Sequence, residues 1–167
     1  MHLSSAAFRR MGKKLIIAEK PSVAGDIARA LGGFTRKGDY FESDEFVLSS
    51  AVGHLLELAV PEKYDVKKGK WSFARLPLIP PHFDLAPIER SKERLNLLLR
   101  LIKRKDVAGF INACDAGREG ELIFRLIYEA AGCRRPVQRL WISSLAPRAQ
   151  RARRRVGDLC DGRGARR

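Results

Sequence analysis

Phe110-Ile-Asn-Ala-Cys-Asp-Ala-Gly-Arg-Glu-Gly-Glu121 places three carboxylates and an arginine directly after a short, mostly apolar run. Such a run reads as a buried strand, and Leu122, Ile123, Leu126 and Ile127 beyond the acids recur at helical spacing. Leu15-Ile-Ile-Ala-Glu-Lys-Pro-Ser22 repeats the arrangement. Its apolar run ends on Glu19, Pro21 suits a first helical turn, and the helical stretch to Leu31 meets Gly32-Gly33. In an open parallel sheet, ligands lie beyond the carboxyl ends of the strands, so Glu19 and Asp115 are placed to converge on one site.

The residue types at that point suit phosphate and metal chemistry. Mg²⁺ takes a few carboxylate oxygens and completes its shell with water and substrate phosphate. Arg118 and Lys20 can meet phosphate without a metal, one as a planar fork and the other as a point charge. The same residues also have plainer readings. Glu19 can be the charge favoured near a helix N-terminus, Asp115 can be an N-cap, and His54 beside Gly53 can be a hydrogen-bonding residue of a close turn.

Four stretches in order, Ala18-Glu-Lys-Pro-Ser22, Gly53-His-Leu-Leu-Glu57, Asp115–Glu121 running into Phe124, and Arg139-Leu-Trp-Ile-Ser-Ser144, resemble the Toprim catalytic domain. The form is that of type IA DNA topoisomerases, most like the bacterial topoisomerase III group, and the likeness covers roughly residues 14–147. The resemblance implies an α/β fold, Rossmann-like, with a mostly parallel sheet and helices on both faces. It implies catalytic roles for Glu19, Lys20, Asp115, Arg118 and Glu119, with Mg²⁺ held by Glu19, Asp115 and Glu119. It further implies DNA or phosphate contacts from Lys20, Ser22, His54, Arg118 and Arg139, single-stranded DNA as the preferred partner, and a cytoplasmic, nucleoid location. Many relatives carry a second acid where this chain has Gly117, which leaves one ligand fewer; Glu121, two residues from Glu119 on a helix, is expected to point elsewhere.

Type IA enzymes cut DNA with a tyrosine on a separate domain. The tyrosines here, Tyr40, Tyr64 and Tyr128, stand in no matching context. The expectation is therefore a truncated, inactive fragment that depends on downstream topoisomerase domains. A stand-alone Toprim nuclease or primase-like enzyme, and a non-catalytic DNA-binding remnant, are the alternatives.

Composition sets the remaining bounds. The 167 residues carry a net charge of +14, but residues 148–167 hold eight arginines against two aspartates. The centre of the chain stays basic without that tail, as a surface meeting phosphate would be. The expected divisions are an amino-terminal extension over 1–13 with a start at Met11, a catalytic domain over 14–147, and an Arg/Gly-rich tail over 148–167 that reads as a frame-shifted end. Cys114, Cys133 and Cys160 lack metal or redox spacing, and Cys114 is expected in the core. No apolar run is long enough to span a membrane.

The expected order of elements is strand, helix, strand pair, loop, helix, strand, helix, strand. Lys14–Ala18, Phe46–Ser50, a segment ending near Leu58, Phe110–Cys114 and Val137–Ile142 are the extended pieces. Ser22–Leu31, Ser91–Lys103 and Glu119–Ala131 are the helices. Val60–Pro87, with five of the eight prolines, reads as an ordered loop whose aromatics Trp71, Phe73 and Phe83 pack on the domain.

Overall fold

The computed structural model describes residues 12–59 and 82–141. Residues 1–11, most of the proline-rich loop and residues 142–167, with Tyr64, Trp71, Phe73 and Cys160, lie outside the described residues, and Lys13, expected in the amino-terminal extension, is the first residue of a strand.

Strand β1 (Lys13–Ala18) is the centre of a six-stranded sheet, and its period-two pattern explains why. Leu15 and Ile17 enter one core, Ile16 and Ala18 the other, so both faces must be covered. Helix α1 (Pro21–Leu31) begins with its proline in the first turn, where the missing N–H costs nothing, and closes at Gly32, φ 72°, whose N–H donates to the Ala28 carbonyl at 2.9 Å. It buries Val23, Ala24, Ile27 and Ala28 against Ile16, Leu48, Ile111 and Ala113. Next come β2 (Thr35–Lys37), β3 (Tyr40–Glu42), β4 (Phe46–Ser50), β5 (Leu56–Leu58) and β6 (Leu85–Pro87). A short 3₁₀ turn at Glu89–Ser91 leads into helix α2 (Lys92–Ile102), followed by β7 (Val107–Ala113), α3 (Arg118–Ala130) and β8 (Val137–Arg139).

The sheet order is β2-β3-β4-β1-β7-β8. Strands β4, β1, β7 and β8 run parallel, while β2 and β3 add an antiparallel edge. On the face opposite α1, Leu95, Leu98 and Ile102 of α2 join Ile123, Phe124 and Ile127 of α3 over Leu15, Ile17, Val47 and Phe110. The α/β class, the mostly parallel sheet and helices on both faces are thus as the sequence indicated.

Four details differ from the sequence reading, the first being Phe83, which was expected to pack on the domain and is 66 % exposed. The β2–β3 hairpin is additional; β2 is wholly exposed and carries no apolar signature, and its turn uses Gly38 at φ 63°. The end of the expected proline-rich loop is strand β6, which pairs antiparallel with β5 in a separate two-stranded sheet. The last strand stops at Arg139, with Leu140 buried beside it and Trp141 exposed.

Candidate active site

Glu19 and Asp115 follow β1 and β7, adjacent parallel strands, and the structure brings them together. The Asp115 N–H donates to Glu19 Oε2 at 3.3 Å, and Lys20 Nζ lies 4.0 Å from Glu19 Oε1 and 3.9 Å from Asp115 Oδ2. Glu19 is only 7 % exposed, yet the Lys20 and Asp115 side chains beside it are more than half exposed. A buried carboxylate is therefore held at the floor of an open site, with one loosely placed ammonium shared between two acids.

Local structure fixes each member. Lys20, extended at φ −123° and ψ 148°, precedes the first turn of α1, so Glu19 stays on the strand side of the helix start. The Glu19 carbonyl accepts the N–H groups of Val52 at 3.0 Å and Gly53 at 3.4 Å, which pins the loop after β4 against the site. Val52 has φ 114°, a conformation that a β-branched residue adopts only under strain and one concentrated at functional sites. That loop carries His54, whose Nδ1 lies 3.7 Å from Glu119 Oε1.

Asp115 is not an N-cap. The residue in that position is Gly117, without a side-chain cap bond, so the Asp115 carboxylate is left to face Lys20. The close approach of α3 to Asp115 depends on Gly120: a Cβ there would overlap the Asp115 carbonyl oxygen. Gly117 is extended at φ −155°, and a Cβ added to it meets no heavy atom within 4 Å.

Other expected residues are placed differently. Glu119 faces His54 and does not join Glu19 and Asp115; among the described residues no group of three or more acids, histidines or cysteines is arranged to hold a metal ion. Glu121 turns away, accepting Asn112 Nδ2 at 2.9 Å and Arg125 Nε at 2.8 Å. Arg139, expected at a phosphate, donates to the Asp115 carbonyl at 2.7 Å and the Asn112 carbonyl at 3.4 Å. Arg118 lies exposed in the first turn of α3, and Ser22 exposed in the first turn of α1.

Asn112 was not singled out from sequence. It is 1 % exposed, and its Oδ1 accepts the Cys114 N–H at 3.1 Å while its amide nitrogen holds Glu121. A lone polar residue within an apolar strand was the available signal. Burial pushes the neighbouring Cys114 thiol up to about 12, so it is a core group and not a thiolate nucleophile. The Tyr128 hydroxyl donates to the Arg135 carbonyl at 2.6 Å, its ring packs on Phe110 and Phe124, and burial raises its pKa.

The acids and the lysine stand beyond the ends of neighbouring parallel strands, where open α/β sheets hold their ligands. The Toprim domain family matches residues 14–145, and the chain belongs to it. It is 44% identical over 139 residues to DNA topoisomerase 3 of Bacillus thuringiensis (strain Al Hakam) and 42% identical to that of Bacillus subtilis (strain 168). Each match covers 83% of this chain and 19% of the relative, so the chain spans about a fifth of the length of these relatives. Full-length topoisomerase I from Thermotoga maritima shares the fold, with a TM-score of 0.51 and 22% identity over 85% of this chain and 20% of that one.

Proposed function

We propose that the chain supplies the metal-and-phosphate part of a type IA DNA topoisomerase, with the tyrosine nucleophile provided from outside these 167 residues. The pairing of Glu19 with Asp115 under one shared lysine carries this reading. Two oxygen-donor acids fit Mg²⁺, which commonly binds one or two carboxylates together with substrate phosphate. Glu19 and Asp115 would hold the ion, with Glu119 reaching it only by leaving His54. The ion, when bound, supplies charge stabilisation at phosphate oxygens. Lys20 neutralises and orients the phosphate, and Arg118, exposed on the next turn, is a second cation for the strand. Arg139 acts at one remove, holding the Asp115 backbone in place.

Supporting this division of labour, Tyr128 is tied into the core by its ring and its hydroxyl, a poor setting for an attacking group. A location with DNA in the nucleoid, and a preference for single strands, follow from the same proposal.

Plasmid assays discriminate the alternatives. The chain alone is expected to leave negatively supercoiled DNA unrelaxed; relaxation by the chain would overturn an external nucleophile. Mg²⁺-dependent nicking that disappears in Glu19→Gln would instead favour a stand-alone nuclease. Binding to single-stranded DNA is expected to weaken steeply with salt as counterions are released, and a salt-insensitive affinity would contradict phosphate recognition.

A further inference from the structure

A cavity of about 460 Å³ opens at Ala116 and Gly117, the two residues that follow Asp115. Its volume falls within the roughly 300–1,000 Å³ range of small-ligand sites. Asn112, Glu121, Arg125, Val137, Arg139 and Trp141 line it, together with Ala116 and Gly117. Trp141 is 58 % exposed, unusual for the largest apolar side chain, and the Arg139 guanidinium lies 5.2 Å from its ring centroid. Arg139 is itself fixed by the Asn112 and Asp115 carbonyls, so the indole stands beside a cation that is held in place. Glu121 and Arg125 form the polar edge. Arg125 engages Glu121 through Nε, and a guanidinium has further N–H groups to offer; Glu121 supplies acceptor oxygens.

We propose that this cavity takes one unpaired nucleobase of a DNA strand, stacked on Trp141, with its hydrogen-bonding edge toward Arg125 and Glu121. The inference rests on the proposed function, in which a phosphate of that strand lies at Lys20 and Asp115. Two features of the cavity favour a base on a strand over a peptide or a lipid. An aromatic plane paired with a fixed guanidinium suits a flat π-system, and the cavity is lined by Ala116 and Gly117, directly after Asp115, and by Arg139, which donates to the Asp115 carbonyl, so one strand can reach both. Every base has a π-face and carries both donors and acceptors, so the site is tolerant of sequence.

The test compares a short labelled dT oligomer with an abasic oligomer of equal length, using fluorescence anisotropy and the full chain. The wild type is expected to prefer the dT oligomer by about tenfold, the scale of one stacked base. Trp141→Ala should remove that preference without changing affinity for the abasic strand, and Trp141→Phe should keep most of it. Equal wild-type affinities for the two strands would overturn the base site while leaving phosphate recognition standing, and so would an equal loss on both strands in Trp141→Ala. Failure of the wild type to bind either strand would remove the proposed function and the base site together.

Discussion

The two ends of the central sheet use the same residue types to opposite effect. At the amino ends of the strands, Glu42 is 9 % exposed in its side chain and accepts Lys13 Nζ at 2.7 Å, Arg104 Nη2 at 2.6 Å and Lys37 Nζ at 3.0 Å. Arg104 also reaches Asp106 at 2.7 Å, closing a network that ties the hairpin edge to β1 and β7. At the carboxyl ends, Glu19 and Asp115 share one lysine at about 4 Å, and Glu119 has a histidine at 3.7 Å. The first set is saturated at hydrogen-bonding distance and serves the fold. The second is held in position without being neutralised, which is the condition for receiving a cation.

Electrostatics at the saturated end follow from this geometry. The Arg104 guanidinium, followed by Lys13 and Lys37, holds the Glu42 carboxyl well below its ordinary value of 4.5, and Arg104 likewise lowers Asp106. A carboxylate with a depressed folded pKa stabilises fully above the unfolded value, and that contribution fades as pH falls toward the folded one.

The contrast can be broken most strongly at Glu42. Glu42→Gln leaves three cations facing a neutral amide, and is expected to lower stability by about 3 kcal/mol at neutral pH. Denaturant melts should show the gap to wild type shrinking as pH drops below about 4.5, the ordinary carboxylate value. Mg²⁺ affinity should stay unchanged. A variant that lost metal affinity and kept its stability would reverse the roles assigned to the two ends.

Gly120→Ala attacks the other end through its backbone. The added methyl must push α3 from Asp115, so thermal denaturation should report a loss of about 2 kcal/mol, within the usual cost of overpacking. Metal binding, read by calorimetry, should weaken with it. A smaller effect separates charge from packing: Asp115→Asn keeps the shape and the backbone bonds, so its Mg²⁺ affinity should fall about tenfold while its melting stays near wild type. Gly117→Asp sharpens the contrast further. The extended backbone and open space accept a carboxylate, and about threefold tighter Mg²⁺ binding is expected from the added oxygen donors.

Much of the carboxyl end was legible because its signal is local. Apolar runs that end on Glu19 and Asp115, each followed by a helix start, place both acids at strand ends; that β1 and β7 are neighbours in the sheet is seen only in the structure. The amino end was not legible, since Glu42 gathers Lys13 and Arg104 from distant parts of the chain and Lys37 across a hairpin that has no apolar pattern. Strand β2 was hidden for a related reason: all three of its residues are exposed, and strand pairing and the Lys37–Glu42 ion pair hold it without any apolar signal. Arg139, for which the resemblance implies a phosphate contact, turns two of its N–H groups to main-chain carbonyls, a placement that residue type does not announce.

In the proposed function Glu19 and Asp115 are held for a ligand and not for the fold. Calorimetric titration of Mg²⁺ into wild type and Glu19→Gln, each paired with a melting curve, separates the two roles. Weak binding by wild type that falls about tenfold or more in Glu19→Gln is expected, with the melting transition nearly unmoved. Equal Mg²⁺ affinity in the two proteins, or a Glu19→Gln variant that is chiefly destabilised, would contradict it.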